Sequence, residues 1–431
     1  MFKTLQWLLL IALVLSKPAL AADIEISAPG EQSIPLALTR LLSTDGASRE
    51  AAEQFHQTLE GDLSFSGFFR FIRPEAFLDD AQKPGLYTTQ VNFAQWRLLG
   101  ADTLIKGACS VLGDQLIIEV RLYDVINRRL LTGHRYVGRG KDVRQIAHTF
   151  ADQVLKALTG EEGPFKSRIA FISDQTGYSE LWLMDSDGHN PIRLTNHRSI
   201  VLNPDFSPWG KEILFTSYWA NNPDLYRKEI YTGKEAKVSF KRGLNTAGRY
   251  SPNGRDIALT LSKDGNPEIY VIASSGRIKQ QLTNSWGIDS DPSWSPDGER
   301  LAFISNRSGN PHIFITELGS GETRRLTTAG KYSATPDWNP KRDLIAFTRQ
   351  ENGHFSVYTI GSDGSDERRV TFGPGNQEHP RWSPDGRFLV YSSDIDGKRA
   401  IYVMRADGSG AKRLTVPTST SRHPAWSKRW Q

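Results

Sequence analysis

The chain has 431 residues, of which 38% are hydrophobic and 23% charged, with a formal net charge of +5. This composition excludes wholesale disorder, and so mild a charge gives no argument for binding nucleic acid or inserting into a membrane. A single cysteine excludes an intrachain disulfide framework, while 37 Gly, 22 Pro and 11 Trp favour short strands and turns over an all-helical fold.

Residues 1–21 have the pattern of a secretory signal. Lys3 supplies a positive charge, and residues 5–15 form an apolar run that is too short to span a bilayer. Small residues at Ala19 and Ala21 mark a cleavage site, so we expect cleavage between Ala21 and Ala22. No cysteine follows the apolar run to carry a lipid. We therefore expect an exported, soluble mature protein.

Residues 22–162 alternate helix and strand signals, and we predict a small α/β domain here. Apolar residues at helical spacing predict helices over residues 48–59, 92–99 and 142–158. Strands are predicted over residues 68–72, 101–111, 115–123 and 130–137, the last three as an antiparallel meander. His134 and His148 are isolated and form no cluster with carboxylates at metal or triad spacing, so we expect each to be structural or exposed, and Cys109 in its apolar strand to be a buried, inert thiol.

From residue 163 to residue 431 the sequence repeats with a period of 44 residues. Four series of positions keep this step over six copies without a net insertion. The clearest is an aromatic residue that is followed by Ser or Asn and, in the first five copies, by Pro: Phe206, Tyr250, Trp294, Trp338, Trp382 and Trp426. Chance does not maintain four such registers.

Each repeat contains four short β segments, A to D, and this pattern is typical of a β-propeller blade. Segment B is apolar at successive positions, as in Leu301-Ala302-Phe303, so we expect both of its faces to be buried. The sixth A segment lies at the C-terminus, at residues 423–426, whereas the first B segment begins at Ile169. We therefore predict an α/β N-terminal domain followed by an all-β six-bladed propeller that its C-terminal strand closes.

The candidate binding residues lie where segment A begins, at one mouth of the central channel. Framework positions repeat there, but the residue before the A-segment proline, or its equivalent, varies: Asn203, Ala247, Asp291, Thr335, His379 and His423. Neighbouring positions vary too, and we include Thr246, Asp289, Ser290, Glu378 and Arg422. Varied side chains on loops that a rigid scaffold holds are what a binding site needs. Ordinary variation of solvated loops is the alternative.

The sequence gives little support for a metal site, a cofactor or a catalytic site. The donor set His379, His423, Asp289, Asp291 and Glu378 is spread one blade apart and forms no local ligand motif, so we assign no metal or cofactor. A calcium ion in the channel stays an unsupported alternative. The sequence holds no Gly-x-Ser-x-Gly nucleophile elbow, no His-Glu-x-x-His and no phosphate-binding loop. We therefore predict a protein that is not an enzyme.

Two segments of the N-terminal domain, the domain junction and the C-terminus carry a resemblance to a known family. They read LGADTLIKG at residues 99–107, HTFAD at 148–152, FKSRIAF at 165–171 and PAWS at 424–427. Together with the order of the domains, these segments resemble the TolB family over essentially the whole chain. The resemblance implies a periplasmic, non-enzymatic component of the Tol–Pal system of Gram-negative bacteria, which supports outer-membrane integrity and invagination during cell division.

The same resemblance implies two partners and places their contacts. The peptidoglycan-associated lipoprotein Pal would bind at the channel mouth, on Leu244, Ala247, Ser290 and their ring neighbours, and other outer-membrane lipoproteins are further candidate partners. TolA would bind the N-terminal segment Ala22, Asp23, Ile24, Glu25 and Ile26. Two alternatives stay open, namely a generic exported propeller that binds a peptide or glycan, and an accessory to a hydrolase.

Overall fold

The computed structural model describes residues 33–43, 45–77 and 85–428. The predicted secretory signal and the predicted TolA-binding segment, residues 22–26, lie outside these ranges.

The N-terminal domain packs helices on a mixed five-stranded sheet. Its helices are α1 (Gly46–Ser66), α2 (Phe93–Leu98) and α3 (Val143–Thr159), with short 3-10 turns at Pro74–Ala76, Thr88–Gln90 and Gly140–Asp142. Its strands are β1 (Ile34–Leu38), β2 (Phe69–Phe71), β3 (Thr103–Leu112), β4 (Gln115–Asp124) and β5 (Arg129–Gly138), in the order β2-β1-β3-β4-β5. The meander β3-β4-β5 is antiparallel, as predicted, whereas β1 runs parallel to β2 and β3.

Two features of this domain differ from the sequence prediction. Helix α1 extends to Ser66, beyond the predicted end at residue 59, because Leu63 continues the apolar spacing across polar residues and is fully buried. Gly67, at φ 78°, ends the helix. The Asp45 carboxylate caps its start by accepting from the Ser48 amide at 2.8 Å. Strand β1 was not predicted, because a buried strand in parallel pairing lacks the alternation of polar and apolar residues that marks an exposed sheet.

The second part of the chain is a ring of six four-stranded sheets, which confirms the predicted fold class. Blade 1 holds β6 (Arg168–Ser173), β7 (Glu180–Asp185) and β8 (Ile192–Arg193). Blade 2 holds β9 (Val201–Phe206), β10 (Glu212–Ser217), β11 (Asp224–Glu229) and β12 (Glu235–Ser239). Blade 3 holds β13 (Asn245–Tyr250), β14 (Asp256–Leu261), β15 (Glu268–Ala273) and β16 (Ile278–Gln281).

The remaining strands complete the ring. Blade 4 holds β17 (Asp289–Trp294), β18 (Arg300–Ser305), β19 (His312–Glu317) and β20 (Thr323–Arg325). Blade 5 holds β21 (Tyr332–Trp338), β22 (Leu344–Glu351), β23 (His354–Gly361) and β24 (Arg368–Arg369). Blade 6 holds β25 (Gln377–Trp382), β26 (Phe388–Ser393), β27 (Ala400–Arg405) and β28 (Lys412–Arg413), and β29 (Ser421–Trp426) returns to blade 1.

The ring closes through its last strand, as the repeat register predicts. Strand β29 pairs antiparallel with β6, from Ser421 opposite Ser173 to Trp426 opposite Ile169. Two hydrogen bonds extend this pairing, because the Ser427 amide donates to the Arg168 carbonyl and the Arg168 amide donates to Ser427 Oγ, both at 2.8 Å. The B strands are buried along successive residues, as expected for a blade covered on both faces.

The N-terminal domain lies against the hairpin turns of blades 1 and 6. The rings of Phe65 on α1 and Phe388 on β26 stack with centroids 4.9 Å apart. Arg405, at the end of β27, donates from Nε to the Phe65 carbonyl at 2.9 Å. Arg387 pairs with Glu161 beyond α3 at 3.2 Å. The opposite face of the propeller, which carries the D-to-A and B-to-C loops, has no such cover among the described residues. We call it the loop face.

Candidate functional site

The six predicted ring positions share one unusual backbone conformation. Each lies in the left-handed region, at φ between 48° and 58°, in the order Asn203, Ala247, Asp291, Thr335, His379 and His423. Each also lies at a register shift between strands A and B of its blade, which is the signature of a β-bulge. A bulge at the same place in every blade re-aims one side chain of each innermost strand.

The structure brings these side chains together around the channel. The imidazole rings of His379 and His423 lie with centroids 4.2 Å apart. His423 Nδ1 accepts from the Asn203 amide at 3.5 Å, and Asn203 Nδ2 donates to Thr246 Oγ1 at 3.5 Å. Thr335 Oγ1 lies 2.8 Å from Thr348 Oγ1. These contacts join His379, His423 and Asn203, which come from three consecutive blades around the channel.

The histidine pair is neutral at physiological pH. Burial, reinforced by Arg399 and Arg422, lowers the pKa of His379 to about 3. Burial also lowers the pKa of His423, and the nearby His379 adds to that effect. This part of the channel mouth therefore presents uncharged imidazole rings, which favour apolar and hydrogen-bonding contacts over ionic ones.

Three of the predicted contact residues are engaged within the protein itself. Asp289 is fully buried, and its Oδ2 accepts from Arg307 Nη2 at 2.5 Å. Glu378 pairs with Arg399 at 2.5 Å, and Arg422 donates to Ser179 Oγ at 2.8 Å. Asp289 therefore does not offer the contact surface that the sequence analysis assigned to it. Its position fits a residue that holds a loop in place.

The other predicted residues lie at the foot of the loops. Leu244 is half-buried, and its backbone amide donates to Ser262 Oγ at 2.8 Å. Ser290 is half-buried on β17, opposite Ile304. Ala247 is only 1% exposed, so it offers a partner little more than its backbone. These residues therefore affect the shape of the channel mouth more than they expose side-chain surface to a partner.

Sequence reasoning missed the most exposed feature of the loop face, which is its large apolar side chains. Nine of them protrude from D-to-A and B-to-C loops, each at least 36% exposed: Tyr178, Ile200, Trp219, Phe240, Trp286, Ile288, Phe372, Ile395 and Val416. The opposite end of the propeller has fewer, with Trp209 and Tyr231 at its hairpin turns. For six of the nine, the signal in the sequence was an apolar residue placed between the pair that ends segment D and the next A segment, outside the repeated framework. Tyr178, Trp219 and Ile395 lie instead in B-to-C loops.

A second ring lies two residues further along each A strand, toward the other mouth of the channel. Its members are Asp205, Arg249, Ser293, Asp337, Arg381 and Ala425. Asp205 pairs with Arg249 at 3.2 Å, and Asp337 pairs with Arg381 at 2.9 Å. The ring lines a cavity of about 250 Å³ that the Ser-Pro turns surround. Each Asp also accepts the backbone amide of the next blade's aromatic residue, which indicates a structural role.

The prediction that His148 is isolated is wrong. Its Nδ1 lies 2.7 Å from Asp62 Oδ2 on α1, and its Nε2 lies 3.5 Å from Asp187 Oδ2 on the β7–β8 turn of the propeller. Arg144 on α3 also pairs with Asp187. Burial lowers the pKa of His148, but the two carboxylates outweigh that effect and raise it to about 9. A charged histidine therefore links the two domains.

The structure gives no support to a metal site within residues 33–43, 45–77 and 85–428, where no three His, Cys, Asp or Glu side chains come close enough to hold an ion. Cys109 is buried on β3, and burial raises the pKa of its thiol to about 11. No helix in the described part of the chain is long and apolar enough to cross a membrane.

Comparison with family models gives two matches that together cover most of the chain. Residues 155–430 match the TolB beta propeller domain, and residues 22–131 match the TolB amino-terminal domain. The order of the two matches is the order of the two domains in the structure.

Curated relatives carry the same family name. The Tol-Pal system protein TolB of Syntrophotalea carbinolica is 58% identical over 208 residues, which are 48% of this chain and 48% of the relative. The protein of the same name from Geobacter metallireducens is 45% identical over 190 residues, 44% of each chain. The chain thus spans about half the length of the curated relatives that it matches.

A solved structure extends the likeness to nearly the whole chain. The crystal structure of TolB from Acinetobacter baumannii superposes with a TM-score of 0.79 at 26% identity, covering 94% of this chain and 99% of that one. A nidogen/laminin complex superposes with a TM-score of 0.51 at 11% identity over 62% of this chain and 100% of that one, a likeness of fold alone.

Proposed function

The chain belongs to the TolB family, and from this premise we propose that it is a non-enzymatic component of a Tol–Pal system that binds its protein partners through the loop face. It would work in the periplasm of a Gram-negative bacterium and support outer-membrane integrity and invagination during division. The observation that carries the proposal is the concentration of nine exposed apolar side chains on this one face. Such a patch on a rigid scaffold is typical of a protein-binding surface.

The architecture of the channel mouth supports a binding role rather than catalysis. The six bulged ring residues hold the same backbone conformation but differ in chemistry, from Ala247 to Asp291 to His379. A catalytic site would need a nucleophile, base and orienting group within hydrogen-bond reach. The ring offers instead a half-buried lining that a partner side chain can enter. We assign this mouth to the lipoprotein Pal, and we assign TolA to the N-terminal segment, residues 22–26.

A pull-down with the cognate lipid-free Pal domain tests the first assignment. Asp291→Arg and Thr335→Arg each place a long cation in the mouth, and we expect each to reduce the recovery of Pal at least tenfold. Ser275→Arg introduces the same side chain on an exposed hairpin turn of blade 3, away from the loop face, and serves as the matched control. Pal recovery that is unchanged by both mouth variants, with melting temperatures like wild type, would move the site elsewhere.

Deletion of residues 22–32 tests the second assignment. We expect the shortened protein to lose binding to the TolA domain and to retain Pal, because the deleted residues precede β1. Retained binding to TolA would contradict this assignment. Failure of the full-length protein to recover any lipoprotein would reject the Tol–Pal proposal and leave a generic propeller that binds a peptide or glycan.

A further inference from the structure

Charge is distributed unevenly over the loop face. The loops from residue 194 to residue 331, in blades 2 to 4, carry six cations against two acids: Arg198, Lys241, Arg242, Lys263, Arg307 and Lys331 against Asp264 and Asp289. The other half, in blades 5, 6 and 1, carries Asp174, Glu351, Asp394 and Asp396, of which the last three pair with Arg349, Arg399 and Arg413 respectively. One half is therefore basic, whereas the acids of the other are largely paired.

Local ion pairs do not neutralise the basic half. Lys263 pairs with Asp264, and Arg307 pairs with Asp289. The other four cations, Arg198, Lys241, Arg242 and Lys331, are exposed and form no ion pair among the described residues. Two of them, Lys241 and Arg242, directly follow Phe240 in the chain, and Lys241 Nζ lies 6.0 Å from the centre of that ring.

The same half carries five of the nine exposed apolar side chains. They are Ile200 at 49%, Trp219 at 59%, Phe240 at 63%, Trp286 at 77% and Ile288 at 48% exposure. We call these five residues with Arg198, Lys241, Arg242 and Lys331 the basic aromatic rim. Tryptophan and arginine are the residue types most enriched among the energetic centres of protein interfaces.

The loops of the rim are held in place before any partner arrives. Trp219 stacks on His197 with ring centroids 4.8 Å apart, and the Tyr218 amide donates to the Ile200 carbonyl at 3.0 Å. Asn222 Nδ2 donates to the Lys241 carbonyl at 3.0 Å, which ties two neighbouring loops together. Exposed aromatic groups on fixed loops lose little conformational entropy on binding, so they suit a specific interface.

We propose that the protein docked at the channel mouth extends over the basic aromatic rim and meets it with carboxylates interspersed among aliphatic side chains. The proposal rests on the proposed function only in taking the mouth as the docking point. Charge complementarity selects an acidic partner surface, since four unpaired cations would repel a basic one. A flat anionic bilayer laid on this face would also meet the carboxylates of the other half, such as Asp174, whereas a protein of limited size can lie to one side.

The experiment measures affinity for the cognate lipid-free Pal domain at low and high salt. The double variant Lys241→Glu/Arg242→Glu reverses two rim charges, and we expect affinity at low salt to fall at least tenfold with a flatter salt dependence. Trp286→Ala removes an exposed side chain, so the fold is kept, and we expect at least a tenfold loss at both salt concentrations. Lys398→Glu makes the same kind of charge reversal in the other half of the loop face and is expected to change affinity less than threefold.

The outcomes separate this inference from the proposed function. If wild type binds Pal while both rim variants bind equally well, the rim proposal is overturned and the mouth assignment stands. If wild type binds no lipoprotein, the proposed function fails first. Sedimentation with vesicles containing 30% phosphatidylglycerol completes the test. If wild type binds the vesicles and the double variant does not, the rim binds a membrane, and the proposal of an acidic protein partner is overturned.

Discussion

The two ends of the propeller channel are built from the same six strands, yet their side chains serve different purposes. One end carries the A-to-B and C-to-D hairpin turns, and we call it the hairpin end. Here the second ring joins Asp205 to Arg249 and Asp337 to Arg381, and both aspartates accept hydrogen bonds from backbone amides of the next blade. At the loop end, the bulged ring keeps one backbone conformation while its side chains range from Ala to His. Polar groups at the hairpin end hold neighbouring blades together, whereas at the loop end only some of the side chains, such as those of Glu378 and Arg422, are paired within the protein.

A repeat protein can thus separate stability from recognition. Positions that repeat in chemistry, such as the aromatic residue that ends each A strand, face neighbouring blades and the hairpin turns. Positions that repeat only in conformation face the loop end. A change at the hairpin end should therefore cost stability, whereas a change at the loop end should cost binding.

Removal of the last strand should have the largest effect, because both ends depend on closure of the ring. A chain that ends at Thr420 lacks β29, so β6 loses one of its two antiparallel partners and the blade 1 core loses Ala425. We expect loss of cooperative thermal unfolding, measured by circular dichroism and calorimetry. A chain that ends at Lys428 keeps β29 and is the control. Equal melting of the two truncated chains would show that the ring does not need this strand.

Matched substitutions at the two ends test the comparison directly. Asp337→Ala leaves Arg381 without its partner and the Trp382 amide without its acceptor, so we expect a loss of roughly 3 kcal/mol in unfolding free energy. Asp291→Ala changes a half-buried side chain at the loop end, for which about 0.5 kcal/mol is expected. Urea denaturation measures both, and equal losses would remove the distinction between the ends.

The domain junction, which lies on the hairpin side, should respond to pH through His148. The pKa of His148 is raised from an ordinary 6.5 to about 9, so its contribution to stability is fully present below pH 6.5 and lost as pH rises through 9. We expect wild type to lose stability between pH 7 and 9.5 more steeply than His148→Gln. If the stabilities of the two proteins changed in parallel with pH, His148 would not be charged between Asp62 and Asp187.

The smallest expected effect is a gain in stability at the bulged ring. Thr335 holds φ at 50°, a conformation that is unfavourable for a β-branched residue and tolerated by Asn, which occupies the equivalent position 203. Thr335→Asn should raise the unfolding free energy by about 0.5–1 kcal/mol, partly offset by loss of the contact to Thr348. Asn203→Thr should show the opposite sign, and two changes of the same sign would argue against backbone strain as the cause.

Several elements could be predicted because their signals are local or periodic. The meander β3-β4-β5 and helix α3 follow from alternation, turn residues and helical spacing within a short window. The six blades and their closure follow from a register that recurs every 44 residues, which needs no knowledge of distances in space. Strand β1 was not predicted, because burial on both faces removes the alternation of polar and apolar residues. Helix α1 was predicted too short, because Gly61 and Asp62 interrupt its apolar face.

The candidate site, like the fold, could be predicted only in part. The 44-residue repeat was enough to show which positions are equivalent around the channel, and hence to predict the six ring residues from Asn203 to His423. The three-dimensional fold was needed to show that these residues are bulged, that Asp289 is buried against Arg307, and that His148 meets Asp187 across the domain junction. Exposure and pairing depend on distance in space, whereas a repeat records only distance along the chain.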